Sequence, residues 1–461
     1  MFQIQFDHPV WIHFIGIGGI SMSGLASVLL GRGFKVTGSD SKESSLTDML
    51  EERGASIMYG QKAENISPDC DVVVYTAAIH PDNPEYAQAV SLGIPMLTRA
   101  QLLGEIMQNY AVPVAVAGTH GKTTTTSMLS LIAIAADLDP TISLGGILKD
   151  IGGNIRVGNS ETFIAEACEY TNSFLSFNPK ISIILNIDAD HLDFFKDLDD
   201  IRHSFRLFAE ILPEDGTLVV NGEIPDLAGF TQGLKCRVLP YGTEGCLYSA
   251  ENIRYNELGF GSFDLQRNGV LLGRISLNVP GKHNISNALA AITAAEAMGI
   301  GFDAMSAGLS AFRGTDRRFE KKGEVNGAVI IDDYAHHPTE IQATLDAARN
   351  YPHRKIWCVF QPHTYTRTSK LFDRFADVLA EADEVLLAPI YAARETDTLG
   401  VSSDKLAEAV RARGTKAASY PRFEQIEDYL RAHVKEGDLI LTVGAGDVTQ
   451  VGSDLAEKAH S

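Results

Sequence analysis

The residues best suited to chemistry lie between an apolar run and a long apolar helix. Val112–Ala117 predicts a buried strand, and the loop that follows consists of Gly118, Thr119, His120, Gly121, Lys122, Thr123 and Thr124. Glycines let the backbone wrap around a phosphate chain, and the N–H groups at a helix start attract the anion. In this pattern Lys122 reaches the terminal phosphates and the Thr123 hydroxyl binds Mg²⁺. The stretch therefore predicts a nucleoside triphosphate site.

The glycine spacing of this loop departs from the usual phosphate-binding motif. That motif has a longer spacer, whereas only Thr119 and His120 separate Gly118 from Gly121. A glycine-rich turn that carries a chance lysine is the alternative interpretation. The order of strand, glycines, lysine, hydroxyl and helix favours the phosphate site.

Acidic side chains and a histidine follow two further apolar runs. The runs are residues 162–165 and 181–186, and the residues after them include Glu166, Asp188, Asp190 and His191. Ligands of open α/β sheets bind beyond the carboxyl ends of the strands, and Mg²⁺ prefers oxygen ligands. Thr123, Glu166 and the group of Asp188, Asp190 and His191 are therefore the candidate metal ligands. The alternative is that Glu166 is a strand-end charge and His191 an ordinary histidine.

A second glycine-rich loop lies near the N-terminus. Trp11–Ile15 predicts a strand, and the candidate ligand residues after it are Gly16, Gly18, Gly19, Ser21 and, further on, Asp40. The pattern resembles a dinucleotide fingerprint in which Ser21 replaces a glycine. A nicotinamide-dependent oxidoreductase is therefore one interpretation. Because a triphosphate loop follows, a simpler one is that this loop binds another diphosphate, such as a nucleotide sugar.

Polar residues are also dense at strand ends in the last third of the chain. The candidates are Asp332 and Asp333 for a ribose, Arg317 and Arg318 for phosphates, and Tyr334, His336, His337 and Arg367 for a small amino acid. An arginine fork suits the geometry of a phosphate. Any one of these residues alone would be interpreted as an ordinary strand-end side chain. Their density favours a site.

Composition limits the kinds of partner. The chain has 461 residues, enough for about three domains. Its formal net charge of −20 argues against nucleic acid or an anionic membrane as a partner. We expect no membrane-spanning segment and no signal peptide, because apolar runs are short and the N-terminus lacks a basic start. The five scattered cysteines are typical of a reducing cytoplasm.

Strands alternate with helices along the chain, which predicts α/β domains with mostly parallel sheets. We expect a Rossmann-like N-terminal domain over residues 1–109 and a central P-loop-type ATPase domain over residues 110–314. A C-terminal Rossmann-like α/β domain is expected over residues 315–461. Within the central domain, Asn284 or Ser286 is expected to cap a helix.

Taken together, these motifs resemble those of the Mur ligases. The segments that carry the resemblance are 13–24, 118–126, 186–193, 283–288, 317–319, 332–338 and 361–367, which together extend over nearly the whole chain. The resemblance implies an ATP-dependent amide-forming ligase of bacterial peptidoglycan precursor synthesis. Segments 13–24 and 361–367 resemble the branch that joins L-alanine to the carboxylate of UDP-N-acetylmuramate through an acyl phosphate.

The resemblance also implies a role for each domain and each site residue. The N-terminal domain would bind the UDP substrate, and the central domain would bind ATP and Mg²⁺. The C-terminal domain would bind the amino acid and would close over ATP. The implied catalytic residues are Lys122, Glu166, His191 and Arg318; further ATP contacts are Asn284, Asn287, Asp332 and Asp333; and Tyr334, His336 and Arg367 would lie near the alanine. His191 or His336 is the candidate base. The enzyme would be a cytoplasmic monomer or homodimer with small-molecule substrates.

Two positions depart from the family pattern. Cys168 replaces an aspartate, which leaves open whether Glu169 assists the metal. Arg206 stands where several relatives have a carbamylated lysine, so no carbamate is expected. The remaining alternatives are a relative that adds a whole tripeptide to the same UDP sugar, a folylpolyglutamate synthetase, and a nucleotide-sensing module without catalysis.

Overall fold

The computed structural model of the chain describes residues 2–76, 78–242, 245–393, 395–397 and 399–457. These residues fall into two compact units. The first unit comprises residues 1–187, 202–247 and 290–308, and the second comprises residues 188–201, 248–289 and 309–461. Within the described ranges, no helix has both the length and the apolar character needed to cross a membrane.

The first sheet of the first unit has five parallel strands. They are β1 (Trp11–Ile15), β2 (Lys35–Asp40), β3 (Ser56–Tyr59), β4 (Val72–Tyr75) and β5 (Met96–Thr98), in the order β3-β2-β1-β4-β5. The helices between them are α1 (Ile20–Gly31), α2 (Ser45–Glu52), α3 (Pro84–Leu92) and α4 (Arg99–Met107). The strand order reverses at β1, and such a switch point is where ligands bind in open α/β sheets. The loop of Gly16 lies there, as the Rossmann-like prediction requires.

The second sheet of the first unit is built around the phosphate loop. Its strands are β6 (Val112–Ala117), β7 (Thr141–Leu148), β8 (Gly153–Arg156), β9 (Thr162–Glu166), β10 (Ile181–Ile184), β11 (Thr217–Asn221) and β12 (Arg237–Gly242). The order is β12-β11-β10-β6-β9-β7-β8, and only β7 and β8 pair antiparallel. The helices of this segment are α5 (Lys122–Ala135), α6 (Leu198–Glu210) and α7 (Leu227–Thr231). Because β6 lies between β10 and β9, the loops after these three strands leave from one edge.

The second unit contains an antiparallel meander of β13 (Tyr248–Tyr255), β14 (Phe260–Arg267) and β15 (Val270–Pro280). The helices α8 (Lys282–Ala297) and α9 (Phe302–Ala311) come next along the chain. The predicted cap of α8 is wrong, because the helix already begins at Lys282. Gly281 makes the preceding turn at φ +94°, and the Asn284 amide donates back to the Pro280 carbonyl at 2.7 Å.

The second unit also contains a six-stranded sheet. Its strands are β16 (Glu320–Val325), β17 (Ala328–Asp333), β18 (Ile356–Phe360), β19 (Glu384–Leu387), β20 (Lys416–Ser419) and β21 (Leu439–Val443), in the order β16-β17-β21-β18-β19-β20. Only β16 runs antiparallel to its neighbour. The helices are α10 (Pro338–Asn350), α11 (Tyr365–Lys370), α12 (Phe372–Leu379), α13 (Ser403–Ala412), α14 (Phe423–His433) and α15 (Thr449–Glu457).

Apolar side chains bury both faces of this six-stranded sheet. Cys358 and Leu441 belong to the core on one face, and Trp357 and Ile440 to the core on the other. Such runs, apolar on both faces, are characteristic of parallel strands covered by helices on each side. The predicted α/β class with mostly parallel sheets is confirmed. Asp332 and Asp333, which we expected just beyond a strand end, are the last two residues of β17.

Candidate active site

The predicted phosphate loop leaves β6 and enters α5. Gly118 has φ +150°, and Gly121, at the N-cap of α5, has φ +83°, a region that residues with a Cβ rarely adopt. A Cβ on Gly118 would also lie 2.8 Å from the Cβ of Leu185. No side chain in the described ranges caps α5, so its first N–H groups are oriented to receive an anion.

Asn186, just beyond the end of β10, braces this loop. Its carbonyl accepts the Thr119 N–H at 3.2 Å, and its Oδ1 accepts the His120 N–H at 2.8 Å. Its Nδ2 donates to the His120 carbonyl at 3.0 Å. Sequence reasoning assigned no role to Asn186, although its place at the end of an apolar run was an available signal.

Lys122 is held against the loop backbone by a buried carboxylate. Its Nζ lies 2.9 Å from Glu169 Oε2 and donates to the carbonyls of Gly118 at 2.6 Å and Thr119 at 3.1 Å. Burial alone would lower the pKa of Lys122, but the charges of Glu169 and Glu166 outweigh it and raise that pKa. The ammonium therefore stays charged where a terminal phosphate would meet it. Glu169, whose role the sequence left open, pairs with this lysine.

Glu166 and Thr123 form a second pair at the same loop. The Thr123 hydroxyl donates to Glu166 Oε2 at 2.8 Å, and the Gly145 N–H donates to the same oxygen at 2.8 Å. A Cβ on Gly145 would lie 2.7 Å from that oxygen, so glycine is needed there. A hydroxyl and a carboxylate side by side are oxygen donors that suit a hard cation such as Mg²⁺.

The N-terminal glycine loop is braced from the end of β2. The Ser39 carbonyl accepts the N–H groups of Gly16 at 2.8 Å and Ile17 at 2.9 Å. Asp40 Oδ2 accepts the Gly18 N–H at 2.8 Å, and its Oδ1 accepts the Ser41 N–H at 2.7 Å. Asp40 thus stabilises the glycine loop that follows β1. This weakens the dinucleotide interpretation, because in a dinucleotide site the acidic residue binds a ribose.

In the second unit, Asp332 is fully buried within the sheet. Its Oδ1 accepts the Thr442 hydroxyl at 2.6 Å, and its Oδ2 accepts the Thr449 hydroxyl at 2.9 Å and Arg317 Nε at 3.2 Å. Both oxygens are engaged, so the geometry favours support of Arg317 over the predicted ribose contact. β17 continues through the two aspartates because its backbone pairs with β21 as far as Asp333.

Asp333 ties the turn of Arg317 and Arg318 to β17. Its carboxylate accepts the N–H groups of Phe319 at 2.9 Å and Ala335 at 2.8 Å. Burial raises the pKa of Asp333 to about 6, although Arg318 acts in the opposite direction. The guanidinium carbons of Arg317 and Arg318 lie 4.8 and 5.4 Å from the ring centre of Tyr334. Tyr334 therefore packs with both arginines.

Asn284 and Asn287 form a buried pair in the first turns of α8. The Asn287 amide donates to Asn284 Oδ1 at 3.0 Å. Their side chains are fixed relative to each other by this bond and by the bond from Asn284 to the Pro280 carbonyl. Their predicted contact with ATP remains a prediction.

Arg367, in the short helix α11, makes an ion pair with Asp190. Nε and Nη2 of Arg367 donate to Asp190 Oδ1 at 3.1 and 3.0 Å, and Nη1 lies 3.2 Å from His363 Nδ1. Burial would raise the pKa of Asp190, but Arg367 outweighs it and holds that pKa far below its usual value. Sequence reasoning missed His363, which lies four residues before Arg367 on a strand-end segment.

Two histidines of the segment after β17 have defined tautomers. His336 Nδ1 lies 3.0 Å from the Tyr334 carbonyl, which can only accept, so the proton is on Nδ1. Burial lowers the pKa of His336, and the ring is neutral near pH 7. His337 Nδ1 accepts the Thr339 N–H at 3.3 Å, so its Nε2 donates to the Ala189 carbonyl at 3.1 Å.

The predicted site residues therefore form local groups. In the first unit, Glu166 contacts the phosphate loop, and Gly16, Gly18, Gly19 and Ser21 lie between β1 and the first turn of α1, with Asp40 bound to this loop. In the second unit, Arg317 groups with Asp332 and Tyr334, Asn284 with Asn287, and Arg367 with Asp190. His191 follows Asp190 directly. Arg206, at the position of the carbamylated lysine, donates to Glu210 at 2.7 Å.

Comparison with known proteins connects these groups to one family. Three family models match successive segments: the Mur ligase catalytic domain over residues 11–111, the middle domain over 116–295, and the glutamate ligase domain over 317–446. The UDP-N-acetylmuramate–L-alanine ligase of Lachnospira eligens is 57% identical over 457 residues, which cover 99% of this chain and 100% of the relative.

Solved structures agree with the sequence relatives. The crystal structure of the UDP-N-acetylmuramate–alanine ligase of Thermotoga maritima matches with a TM-score of 0.80 at 29% identity, over 98% of this chain and 99% of that chain. A murein peptide ligase of Psychrobacter arcticus matches with a TM-score of 0.68 at 26% identity, over 97% and 98%. These matches extend over nearly the whole chain and confirm the resemblance inferred from the motifs: the chain belongs to the Mur ligase family.

Proposed function

We propose that this chain is an ATP-dependent ligase that joins L-alanine to the carboxylate of UDP-N-acetylmuramate, a step in peptidoglycan precursor synthesis for the cell wall. The observation that carries the proposal is the phosphate loop. There Lys122 is held charged at the start of α5, in a chain 57% identical throughout to a ligase of that name. Wall precursors also link this activity to cell shape and cell division.

The proposed domain division is 1–109 for the UDP substrate, 110–314 for ATP, and 315–461 for the amino acid and closure over ATP. Its support is the order of the three family-model matches, which cover residues 11–111, 116–295 and 317–446. Residues 1 and 458–461 of this division lie outside the described residues. In the first domain, the loop of Gly16, Gly18, Gly19 and Ser21 would bind the diphosphate, and Asp40 would shape that loop.

The chemistry follows from the weakness of a carboxylate as an electrophile. The carboxylate of UDP-N-acetylmuramate attacks the γ-phosphate of ATP, which gives an acyl phosphate and ADP. The amine of L-alanine then attacks the activated carbonyl carbon, and phosphate leaves with the electron pair of the broken bond. Phosphoryl transfer depends mainly on positioning and charge neutralisation, which Lys122 and Arg318 would supply.

The amine must lose a proton before or during its attack. His336 is a better candidate base than His191, because its Nδ1 proton is committed to the Tyr334 carbonyl and the lone pair is on Nε2. With Tyr334 and Arg367, it would complete the amino-acid site.

Mg²⁺ is the proposed metal, held by Thr123, Glu166 and His191. The first two fit this role because their oxygens lie together at the phosphate loop. When bound, such an ion neutralises charge that develops on the phosphate oxygens. The substrates are small molecules, and we place the protein in the cytoplasm, where ATP is available, as a monomer or homodimer.

The test is phosphate release with ATP, Mg²⁺, UDP-N-acetylmuramate and one amine at a time. The amines are L-alanine, glycine, L-serine and the tripeptide that a murein peptide ligase would use. We expect L-alanine to give the highest kcat/KM and a product whose mass is the sum of both substrates less water. A preference for the tripeptide would instead indicate the activity of the relative that adds a whole tripeptide to the same UDP sugar. No phosphate release with any amine would exclude ligase function.

A further inference from the structure

We propose that Asp190 is a positioning residue of the amino-acid site. It orients the guanidinium of Arg367 toward the carboxylate of the amino-acid substrate, L-alanine. The inference rests on the proposed function and adds a residue that acts through another side chain. Asp190 is distant from Arg367 in sequence, by 177 residues. Both belong to the second unit.

The geometry of the ion pair is specific. Asp190 Oδ1 receives two N–H groups of Arg367, from Nε at 3.1 Å and from Nη2 at 3.0 Å. The side chains of Arg367 and Asp190 are 12% and 7% exposed, so water competes little for these bonds. Two donors to one oxygen fix the direction that this edge of the guanidinium faces. The third contact, from Nη1 to His363, restrains rotation of the plane about that direction.

The remaining donors of Arg367 can be counted. A guanidinium has five N–H groups. Asp190 receives two, and His363 Nδ1 receives one from Nη1 at 3.2 Å, since an arginine can only donate. Among the residues that the structure describes, one N–H on each terminal nitrogen is left for a ligand, and such a pair matches the two oxygens of a carboxylate. Asp190 therefore occupies one side of the guanidinium and leaves the other to a substrate.

The loop that carries Asp190 is itself fastened within the second unit. Asp188 accepts the Thr339 hydroxyl at 2.7 Å, the Ala189 carbonyl accepts His337 Nε2 at 3.1 Å, and the Leu192 carbonyl accepts Lys370 Nζ. The Asp190 carboxylate also accepts the His191 N–H at 2.7 Å, where the backbone turns at φ +51°. Asp190 is therefore a fixed anchor and not a mobile surface charge.

The backbone of Arg367 is fastened as well, which leaves only its long side chain to be ordered. Thr364 caps α11 by accepting the Arg367 N–H at 3.4 Å, and the Thr364 N–H donates to the Tyr391 carbonyl at 2.8 Å. Long side chains lose rotamer freedom when a ligand fixes them. By ordering Arg367 before the amino acid arrives, Asp190 would reduce that cost at the binding step.

The first arm of the test detects the Asp190–Arg367 ion pair by NMR and does not depend on enzyme activity. In ¹⁵N-arginine spectra of the full chain, the Arg367 Nε–H signal is identified by its loss in Arg367→Lys. We expect a sharp, slowly exchanging signal in the original protein and a weakened one in Asp190→Asn, which keeps the shape but not the charge. An unchanged signal would overturn the proposal.

The second arm is a kinetic cycle. Asp190→Asn is expected to raise the KM for L-alanine about tenfold, and to change the KM for ATP by less than about twofold. Asp190→Ala should raise the alanine KM further, but in an Arg367→Ala background it should add nothing. If Asp190→Ala has the same effect in that background, or if Asp190→Asn leaves the alanine KM unchanged, Asp190 does not act through Arg367.

Asp438→Asn is the matched control, because it removes the charge of another buried aspartate of the second unit, which pairs with the half-exposed Arg354 at 2.5 Å. It should lower thermal stability and leave the alanine KM unchanged. An alanine KM that rises equally in this control would show a general structural effect and overturn the proposal. If the original protein forms no product with L-alanine, the proposed function fails, and the spectra alone decide whether Asp190 holds Arg367.

Discussion

Lys122 illustrates how one charged side chain is prepared for an anion. Its ammonium contacts two loop carbonyls and the buried carboxylate of Glu169, and the opposing charges keep it protonated despite burial. Glu169 and the loop carbonyls thus place a permanent positive charge at the start of a helix, where the N–H groups also attract phosphate.

Lys122→Ala is predicted to lower ATP turnover by roughly 1,000-fold or more, because charge neutralisation provides much of the rate of phosphoryl transfer. The measurement is phosphate release at saturating substrates, with circular dichroism as the check on folding. Lys355→Ala is the matched control, since Lys355 pairs with the buried Glu384 at 2.7 Å and belongs to no site group. Turnover retained in Lys122→Ala would remove this residue from the catalytic set.

His363 is predicted to make stability depend on pH. Burial lowers the pKa of His363 to about 4 from an ordinary 6.5, and the positive charge of the nearby Arg367 guanidinium acts in the same direction. The unfolded chain therefore binds more protons between these values, and stability that is full above pH 6.5 is lost as the pH falls toward 4.

The variant His363→Gln keeps an acceptor for Arg367 but cannot titrate. We expect the urea midpoint of the original protein to fall more than that of this variant between pH 7.5 and pH 5. A parallel decline of both midpoints would assign the acid sensitivity to other groups.

At the scale of elements, the position of α5 decides where the phosphate loop lies. Helix α9 packs against it so closely that a Cβ on Gly308 would lie 2.5 Å from the backbone of Ile132. Gly301, just before α9, has nothing within 4 Å of such a Cβ. The two glycines therefore differ in packing, although Gly301 immediately precedes α9 and Gly308 lies within it.

Gly308→Ala is predicted to cost about 1–3 kcal/mol in the free energy of unfolding, because the added methyl forces the helices apart. Urea unfolding measures this cost, and Gly301→Ala should change stability little. Equal effects of both substitutions would mean that helix propensity, and not the packing of α9 on α5, sets the result.

At the scale of the whole molecule, each of the two units has its own buried core. The first unit joins the N-terminal segment to the phosphate-loop segment through local bonds. Asn109 contacts the backbone of Ile4 and Phe6 at 2.8 and 2.9 Å, and the Tyr110 hydroxyl donates to Thr141 at 3.0 Å. The Asn109 bonds therefore join the segment between the two sheets to the start of the chain, and the Tyr110 bond joins the same segment to β7 of the central sheet.

Scanning calorimetry is predicted to resolve two unfolding transitions, since regions with separate cores open separately. Gly308→Ala should lower the midpoint of the transition of the first unit, and Asp438→Asn should lower the midpoint of the transition of the second unit. A single transition that both variants shift equally would show that the chain unfolds as one cooperative unit.

Local pattern alone determined several elements and the nature of the chemistry. The predicted bounds of β1 and β6 coincide with the observed strands, because each is a short apolar run that ends at a glycine-rich loop. The phosphate loop was readable for the same reason: its glycines, lysine and hydroxyls are adjacent in the chain. Side-chain types and short spacings determine such features before any long-range contact forms.

Only the tertiary structure decided which distant side chains meet. The Lys122–Glu169 pair, the brace from Asn186 and the Asp190–Arg367 ion pair join residues 47, 66 and 177 positions apart. Burial of Asp332 against Thr442 depends on the pairing of β17 with β21. Strand order and helix packing bring these partners into reach, and a linear pattern of residue types carries no information on which of many charged side chains will be neighbours.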